Sequence, residues 1–554
     1  GAGADRMTGG KGRDLACYAD AAGGVRADLA APGLNRGTAA GDIFQDVEDV
    51  SGTEFSDTLA GDAAGNHLFG LDGNDQLFGR GGDDQLFGGA GDDTLYGDAG
   101  NNTLTGGPGV DWIIFAATSD LRIDLGSVAA QNTGWGWDRI TSVEWVEAGS
   151  GNDWLSGNEA ANRLIGRGGN DSLYGGMGAD TLAGDGGDDF ISGDDGQYWV
   201  LFSGPQDTAI DLSNTGLQDT GAGRDTLLGI EHIHSGAGHD RLLGSSLANH
   251  LISEAGDDNL SGRGGDDTLT GGEGNDTLRG DEGDDHLFGG AGTDTVIFSG
   301  HQGFRVNLAA TGRQGTGAGQ DILDRIECVV TGNAGDIILG NSADNQLFGM
   351  GGRDQLFGAA GADTLSGGDG TDTLIGDGGD DVLQGGAGKD WLQFADRNGA
   401  SVDLGNTGLQ VTGQGRDTIL QIENVSGSAG SDRIVGNGAA NILLGKGGND
   451  RLSGAGGRDR IEGGTGNDWL SGGGGADRFV FSGGHDQIAD FSPGHGDLII
   501  LDRTNLHGMS ARDVVQEFAR ERAGFLILDF GRAGQLLIHD YDNPRQLAES
   551  LIIL

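Results

Sequence analysis

The chain has 554 residues, 116 of them Gly and only 5 Pro, and 85 acidic against 33 basic side chains give a formal charge of −52. This balance argues against nucleic acid and anionic membranes as partners, and no apolar run approaches the length of a membrane-spanning helix. An acidic, aromatic-poor composition ordinarily reads as disorder; here the acids recur in one fixed slot, so that reading applies only without cations.

Thirty-three nine-residue units fill most of the chain, as in GGAGDDTLY (Gly88–Tyr96), GGEGNDTLR (Gly271–Arg279) and GGTGNDWLS (Gly463–Ser471). The pattern is Gly-Gly-x-Gly-x-Asp-x-Leu-x. Glycines permit the positive φ of a tight turn, the sixth-position Asp offers a hard oxygen ligand, and the eighth-position Leu faces inward from a short strand. The chain opens inside a unit, so residues 1–18 read as the truncated end of an upstream block, and the whole as the C-terminal part of a longer protein. No N-terminal signal peptide is visible.

Five further segments follow, each a connector plus a block of repeats: 19–115, 116–202, 203–298, 299–394 and 395–481. The blocks open on Val47-Glu48, Val143-Glu144, Ile230-Glu231, Ile326-Glu327 and Ile422-Glu423, and close on Phe115, Phe202, Phe298, Phe394 and Phe481. The separation from opening Glu to closing Phe takes only two values, which differ by one nonapeptide, so blocks change size by whole units. All four internal connectors have the same length from Phe to Glu. Each carries a strand phrase such as Arg122–Leu125, Val306–Leu308 or Val402–Leu404, then a Gly-rich turn, then Asp-x-Ile/Leu. Constant length predicts ordered strands that continue or cap the array, not loose linker. Residues 482–554 break the pattern. Asp486–Phe491 and Asp497–Leu501 read as strands, and Ala511–Arg522 as a helix with Ser510 as N-cap. Strands at Phe525–Phe530 and Gln535–His539 and a terminal segment Glu549–Leu554 follow. A repeat array needs such a cap.

The sixth-position aspartates are the candidate metal ligands: Asp14 upstream; Asp75, Asp84, Asp93 and Asp111 in the first block; Asp153, Asp171, Asp180 and Asp189 in the second; Asp240, Asp258, Asp267, Asp276, Asp285 and Asp294 in the third; Asp354, Asp363, Asp372, Asp381 and Asp390 in the fourth; Asp432, Asp450, Asp459, Asp468 and Asp477 in the fifth. The second unit of each block carries Asn instead (Asn66, Asn162, Asn249, Asn345, Asn441), Tyr198 and Asn102 fill the slot elsewhere, and weak or missing sites are expected there.

This array resembles the repeats-in-toxin (RTX) family of haemolysin-type calcium-binding repeats, over nearly the whole chain apart from the connectors and the C-terminal end. The resemblance implies an all-β fold: a calcium-bound parallel β-roll, or β-helix solenoid, in five blocks, with a small β-rich C-terminal cap containing one short helix. Residues one to six of a unit would form a turn and seven to nine a strand, with two units making one coil. Calcium would sit between the turns of units n and n+2, held by sixth-position Asp and glycine-turn carbonyls. Asp75, Asp93 and Asp111 would then line one column, and Asp267 and Asp285 another, for roughly 15 to 25 calcium ions. One inward Leu returns far less than ordering nine backbone residues costs, and carboxylates about 5 Å apart repel by ~1 kcal/mol even in bulk water. The metal-free chain is therefore expected to be unfolded.

The resemblance further implies an extracellular or cell-surface location and export by type I secretion machinery that reads the C-terminal end. The role expected is structural, with no enzyme active site in this chain. Two alternatives stay open: a module of a carbohydrate-acting enzyme of the mannuronan-epimerase kind or of a serralysin-like protease, with polysaccharide as partner, and a surface-layer or adhesin stalk whose partner is other copies of itself. Gly-rich runs here lack the Gly-Lys-Ser/Thr of a phosphate-binding loop. Trp112, Trp145, Trp154, Trp199, Trp391 and Trp469 at position seven should point outward, to pack under connectors or stack on sugars. His232 and His250 should stack on adjacent coils, as neighbours or as a transition-metal pair. Cys17 and Cys328 are not expected to form a disulfide.

Overall fold

A computed structural model describes residues 3–395, 397–502, 506, 508–522 and 524–554. It comprises two compact units, Gly1–Gly280 and Asp281–Leu554, each a parallel β-roll. The repeat dictates the local structure directly. Positions seven to nine form a strand, as in Thr94–Tyr96, and Thr94 pairs in parallel with Gln76 and Trp112, each two units away along the chain. In places the ladder runs on into the turn, as in Gln85–Ala90. The turn depends on glycine. Gly89 has φ of 118°, and a Cβ there would lie 1.7 Å from the Leu71 carbonyl oxygen of the preceding coil. The eighth-position side chains make the core: Leu68, Leu77, Leu86 and Leu95 are fully buried. Position nine adds aromatic stacking, with Phe78 on Tyr96 at 4.4 Å and Phe69 on Phe87 at 5.1 Å.

Leu71 stands at a second turn position with φ of 88° and is 37% exposed. A left-handed non-glycine residue costs about 1–2 kcal/mol, less what glycine loses in backbone entropy. Leu71→Gly is therefore expected to stabilise the calcium-loaded protein by about 0.5–1 kcal/mol in urea melts, and Leu71→Val to destabilise it.

In the first unit, a seven-stranded sheet runs from Leu15–Cys17 through Asp49–Ser51 to Trp137–Thr141 and Ala130–Asn132, and a six-stranded sheet from Arg122–Asp124 to Arg224–Leu228 and Gln218–Asp219. In the second, an eleven-stranded sheet runs from Arg305–Asn307 to Leu551–Ile553, and an eight-stranded sheet from Ser401–Asp403 to Ala519–Arg522. The connectors are ordered, as their constant length predicts. The strand phrase of each starts a sheet, and an antiparallel hairpin in each of the four internal ones ends another. Arg80 pins the first connector by a two-pronged contact to Asp28, at 2.9 and 2.7 Å, and Arg263 does the same to Asp211. Burial would push the Asp28 carboxyl up, but Arg80 and two backbone N–H groups hold it below the usual range.

Past Phe481 both sheets continue. Gly484–Ile488 pairs with Trp469–Ser471 and then with Gly534–His539, while Leu498–Leu501 pairs with Arg478–Phe481 and then with Leu551–Ile553. Three details differ from the sequence reading. The first cap strand spans Gly484–Ile488 and not Asp486–Phe491, because the chain bends at Ala489 and Asp490. The helix is shorter, Ala511–Phe518, because Ala519–Arg522 leaves it to pair antiparallel with Phe525–Asp529; its start is as read, a capping box between Ser510 and Asp513. A second helix, Pro544–Leu547, is too short to leave a periodic signature; the Asn543 side chain and Pro544 initiate it. No helix among the described residues is long and apolar enough to cross a membrane.

Candidate metal sites

Stacking coils two units per turn brings the sixth-position aspartates of alternate units into columns. Within a column each Asp Oδ1 accepts the backbone N–H of the rung before it. Asp57 N–H donates to Asp75 at 2.7 Å, Asp75 N–H to Asp93 at 2.8 Å and Asp93 N–H to Asp111 at 2.9 Å. The same ladder joins Asp153, Asp171 and Asp189; Asp240, Asp258 and Asp276; Asp354, Asp372 and Asp390; Asp363 and Asp381; Asp432, Asp450 and Asp468; and Asp459 and Asp477. Asp84 and Asp180 each follow an Asn rung, as does Asp267, while Asp285 and Asp294 donate their N–H groups to Asp321 and Glu327. All of these candidates are at most 3% exposed except Asp14, which is half-buried.

The second carboxylate oxygen defines the chemistry. Oδ2 of Asp75, Asp93, Asp111, Asp171, Asp354 and Asp450 is buried with no hydrogen-bond partner. It lies over the first glycine of its own turn: a Cβ on Gly70 would sit 2.1 Å from Asp75 Oδ2 and 2.3 Å from the Gly88 carbonyl oxygen of the next coil. Glycine thus opens a cradle lined by a carboxylate and a carbonyl. Burial, with neighbouring carboxylates adding to it, pushes Asp75, Asp111, Asp171 and Asp354 up to about 7. Buried anionic oxygens left without donors are costly, and rows of hard oxygens suit a hard cation such as calcium. Among the described residues no three His, Cys, Asp or Glu side chains converge on a point. This accords with an oxygen set of carboxylates plus main-chain carbonyls.

At most departures from Asp the chain supplies the missing donor itself; at Asn345, by contrast, Oδ1 accepts the Asn341 N–H but the buried Nδ2 has no partner. Asn66 Oδ1 accepts from Asp62 N–H at 2.8 Å, and its Nδ2 donates to the Glu48 carbonyl at 2.8 Å. Asn162, Asn249 and Asn441 repeat this, each to the carbonyl of the glutamate that opens its block. Asn102 donates to Gly97, and the Tyr198 hydroxyl to Gly176. The opening glutamates, whose role the sequence left unassigned, are themselves rungs: Oε2 of Glu48, Glu144, Glu231, Glu327 and Glu423 accepts the N–H of the rung before. Asp432 is engaged on both oxygens by Ser428. Asp336 and Asp486 belong to the columns although absent from the sequence candidates; each has a buried, unpartnered Oδ2. The signal was present, since they lie one coil before Asp354 and one coil after Asp468, but the units around them lack the full glycine pattern.

A second ladder was not anticipated. Fifth-position side chains accept the N–H of the following coil, as Asn74 does from Asp92 at 3.1 Å and Asn152 from Asn170 at 2.7 Å. His232 and His250 do stack, with ring centroids 6.3 Å apart. His232 Nδ1 accepts the His250 backbone N–H and Nε2 lies 3.0 Å from Gln197 Oε1, so neither nitrogen is open to a metal. The position-seven tryptophans are half-buried, and protein groups cover several of them: the Arg122 guanidinium lies 3.7 Å from the Trp154 ring centre, and His232 and His250 flank Trp199. Cys17 and Cys328 are not disulfide-bonded.

The RTX calcium-binding nonapeptide repeat model matches residues 1–16, 51–120, 147–197, 234–296, 330–394 and 422–488, more than half of the chain. No curated protein matches the sequence. Among solved structures, the extracellular lipase LipA from Serratia marcescens shares 20% identity over 40% of this chain, which spans 40% of that lipase, with a TM-score of 0.19. With in-phase nonapeptides, columns of buried aspartates and the family match together, the chain belongs to the RTX family, whose nonapeptide repeats bind calcium ions.

Proposed function

We propose that this chain is a secreted structural array that folds on meeting extracellular calcium, held by the column aspartates named above. The observation that supports this most directly is the row of buried Oδ2 atoms without donors, as in Asp75, Asp93 and Asp111. Those carboxylates repel one another in the folded chain, and a divalent cation between successive turns both neutralises them and fixes the glycine carbonyls. Binding free energy then appears as folding free energy. Cytosolic calcium is too dilute to fill weak sites of this kind, whereas extracellular modules work at about 10⁻⁴–10⁻³ M. The chain would thus remain unfolded until exported.

Single-rung variants test the ligand assignment. Asp93→Ala is expected to lower the calcium bound per chain by at least one and at most two, the sites shared with Asp75 and Asp111, by titration calorimetry. Asn66→Ala removes amide contacts to Asp62 and Glu48, and is expected to leave the calcium count unchanged. Equal calcium loss in the two variants would contradict the pairing.

A further inference from the structure

Four further aspartates, all in the connectors, also stand in the columns, and they share a hydroxyl partner that Asp75 and Asp93 lack. Asp138, Asp225, Asp321 and Asp417 each form the last rung of a column, in the connector hairpins. Oδ1 of each accepts the N–H of the rung before it, from Asn102, Asp189, Asp285 and Asp381. Oδ2, which has no partner in Asp75 or Asp93, here accepts a buried threonine hydroxyl: Thr133 to Asp138 at 2.6 Å, Thr220 to Asp225, Thr316 to Asp321 and Thr412 to Asp417. The sequences are TGWGWD, TGAGRD, TGAGQD and TGQGRD. Each is the repeat turn Gly-Gly-x-Gly-x-Asp with threonine in place of the first glycine, the position over which Oδ2 lies.

The physical reason lies in the strand direction. Beyond each of these rungs the sheet ends in an antiparallel strand, so no further turn stacks on it to complete an oxygen cradle. Thr331 shows that the hydroxyl alone does not suffice. It occupies the same place in the turn ending at Asp336, but a following coil is present; its hydroxyl goes to the Phe348 carbonyl at 3.3 Å, and Asp336 Oδ2 has no partner. The first connector reaches the same end with another residue, the Tyr18 hydroxyl donating to Asp42 Oδ2 at 2.8 Å.

Resting on the calcium reading above, we infer that the Thr-Gly-x-Gly-x-Asp turns are metal-free terminators. Thr133, Thr220, Thr316 and Thr412 decide where calcium binding stops, and they close the connector hairpins without calcium. The array is thereby divided into separate runs of calcium sites.

Native mass spectrometry of the full chain at saturating calcium tests this. Replacing Asp138, Asp225, Asp321 and Asp417 together by Asn is expected to leave the calcium count unchanged. Replacing Asp75, Asp171, Asp354 and Asp450 by Asn should remove four or more ions. Loss of ions from both variants overturns the terminators while keeping the calcium columns; loss from neither sinks the column reading and the terminators with it. Should the first variant fail to fold, as judged by circular dichroism, Thr133, Thr220, Thr316 and Thr412→Val decides. The same calcium count with a folding midpoint raised at least twofold supports the closure, and an unchanged midpoint or an altered count overturns it.

Discussion

With calcium chelated at pH 8, the chain is expected to give a coil spectrum in circular dichroism, and millimolar calcium to restore β-structure. Magnesium should fail to substitute, because it demands tighter octahedral geometry and gives up water reluctantly. The column carboxylates also set the pH dependence. Burial first, and neighbouring acids second, raise Asp75, Asp84, Asp111 and Asp450 to about 7 and Asp486 to about 8. A carboxyl whose folded pKa is raised stabilises the fold only while protonated. Its contribution is complete below the ordinary carboxylate value of 3.8 and is lost as the pH rises through about 6–8. In chelator the chain should therefore gain β-structure on acidification from pH 8 to pH 5 and lose it on return. In calcium the opposite slope is expected: ligands must be ionised to bind, so the calcium midpoint should rise as the pH falls below about 7. A chain that is well folded in chelator at pH 8, or that shows no acid-induced gain, would refute this account of the columns.

Deleting Ser482–Leu554 is expected to raise the calcium midpoint of folding several-fold. Cap strands prolong both sheets of the last block, and cap aspartates end both columns: Asp486 accepts the Asp468 N–H at 3.1 Å, and Asp497 the Asp477 N–H at 3.0 Å. The deletion leaves those N–H groups without partners and uncovers Leu470 and Phe479, now at most 1% exposed. Each such side chain is worth about 1.5–3 kcal/mol of burial. In a repeat array, order spreads between neighbours, so a cap held by apolar strands such as Leu498–Leu501 and Gly534–His539 serves as a template on which the adjacent coils stack. Under the export proposal the same deletion abolishes secretion. An unchanged calcium midpoint would leave the segment as an address alone, and undiminished secretion would leave it as a cap alone.

Much of this molecule was legible in the sequence, because a nine-residue period with glycine at fixed places admits few backbones. The glycine turn and the inward Leu on a short strand follow from local geometry repeated in phase, while the two-unit register, and with it the alignment of Asp75, Asp93 and Asp111, was implied by the resemblance to the RTX family. The special place of Asn66 and its four counterparts was also visible, as a break in charge. What the sequence did not show was partnership. Asp93 and Asp138 end turns of one glycine pattern that departs at a single place, the turn's first residue, Gly88 or Thr133. Only the stacking direction of the next strand determines whether that residue opens a cradle or closes one. Likewise Glu48 and Glu144 read as block markers until the connectors before them set their carboxylates on a rung. Asp336 and Asp486 were hidden by turns with imperfect glycine patterns. Periodicity encodes what each coil does to itself; which oxygen receives a donor depends on the coil above, and that is decided by the tertiary fold.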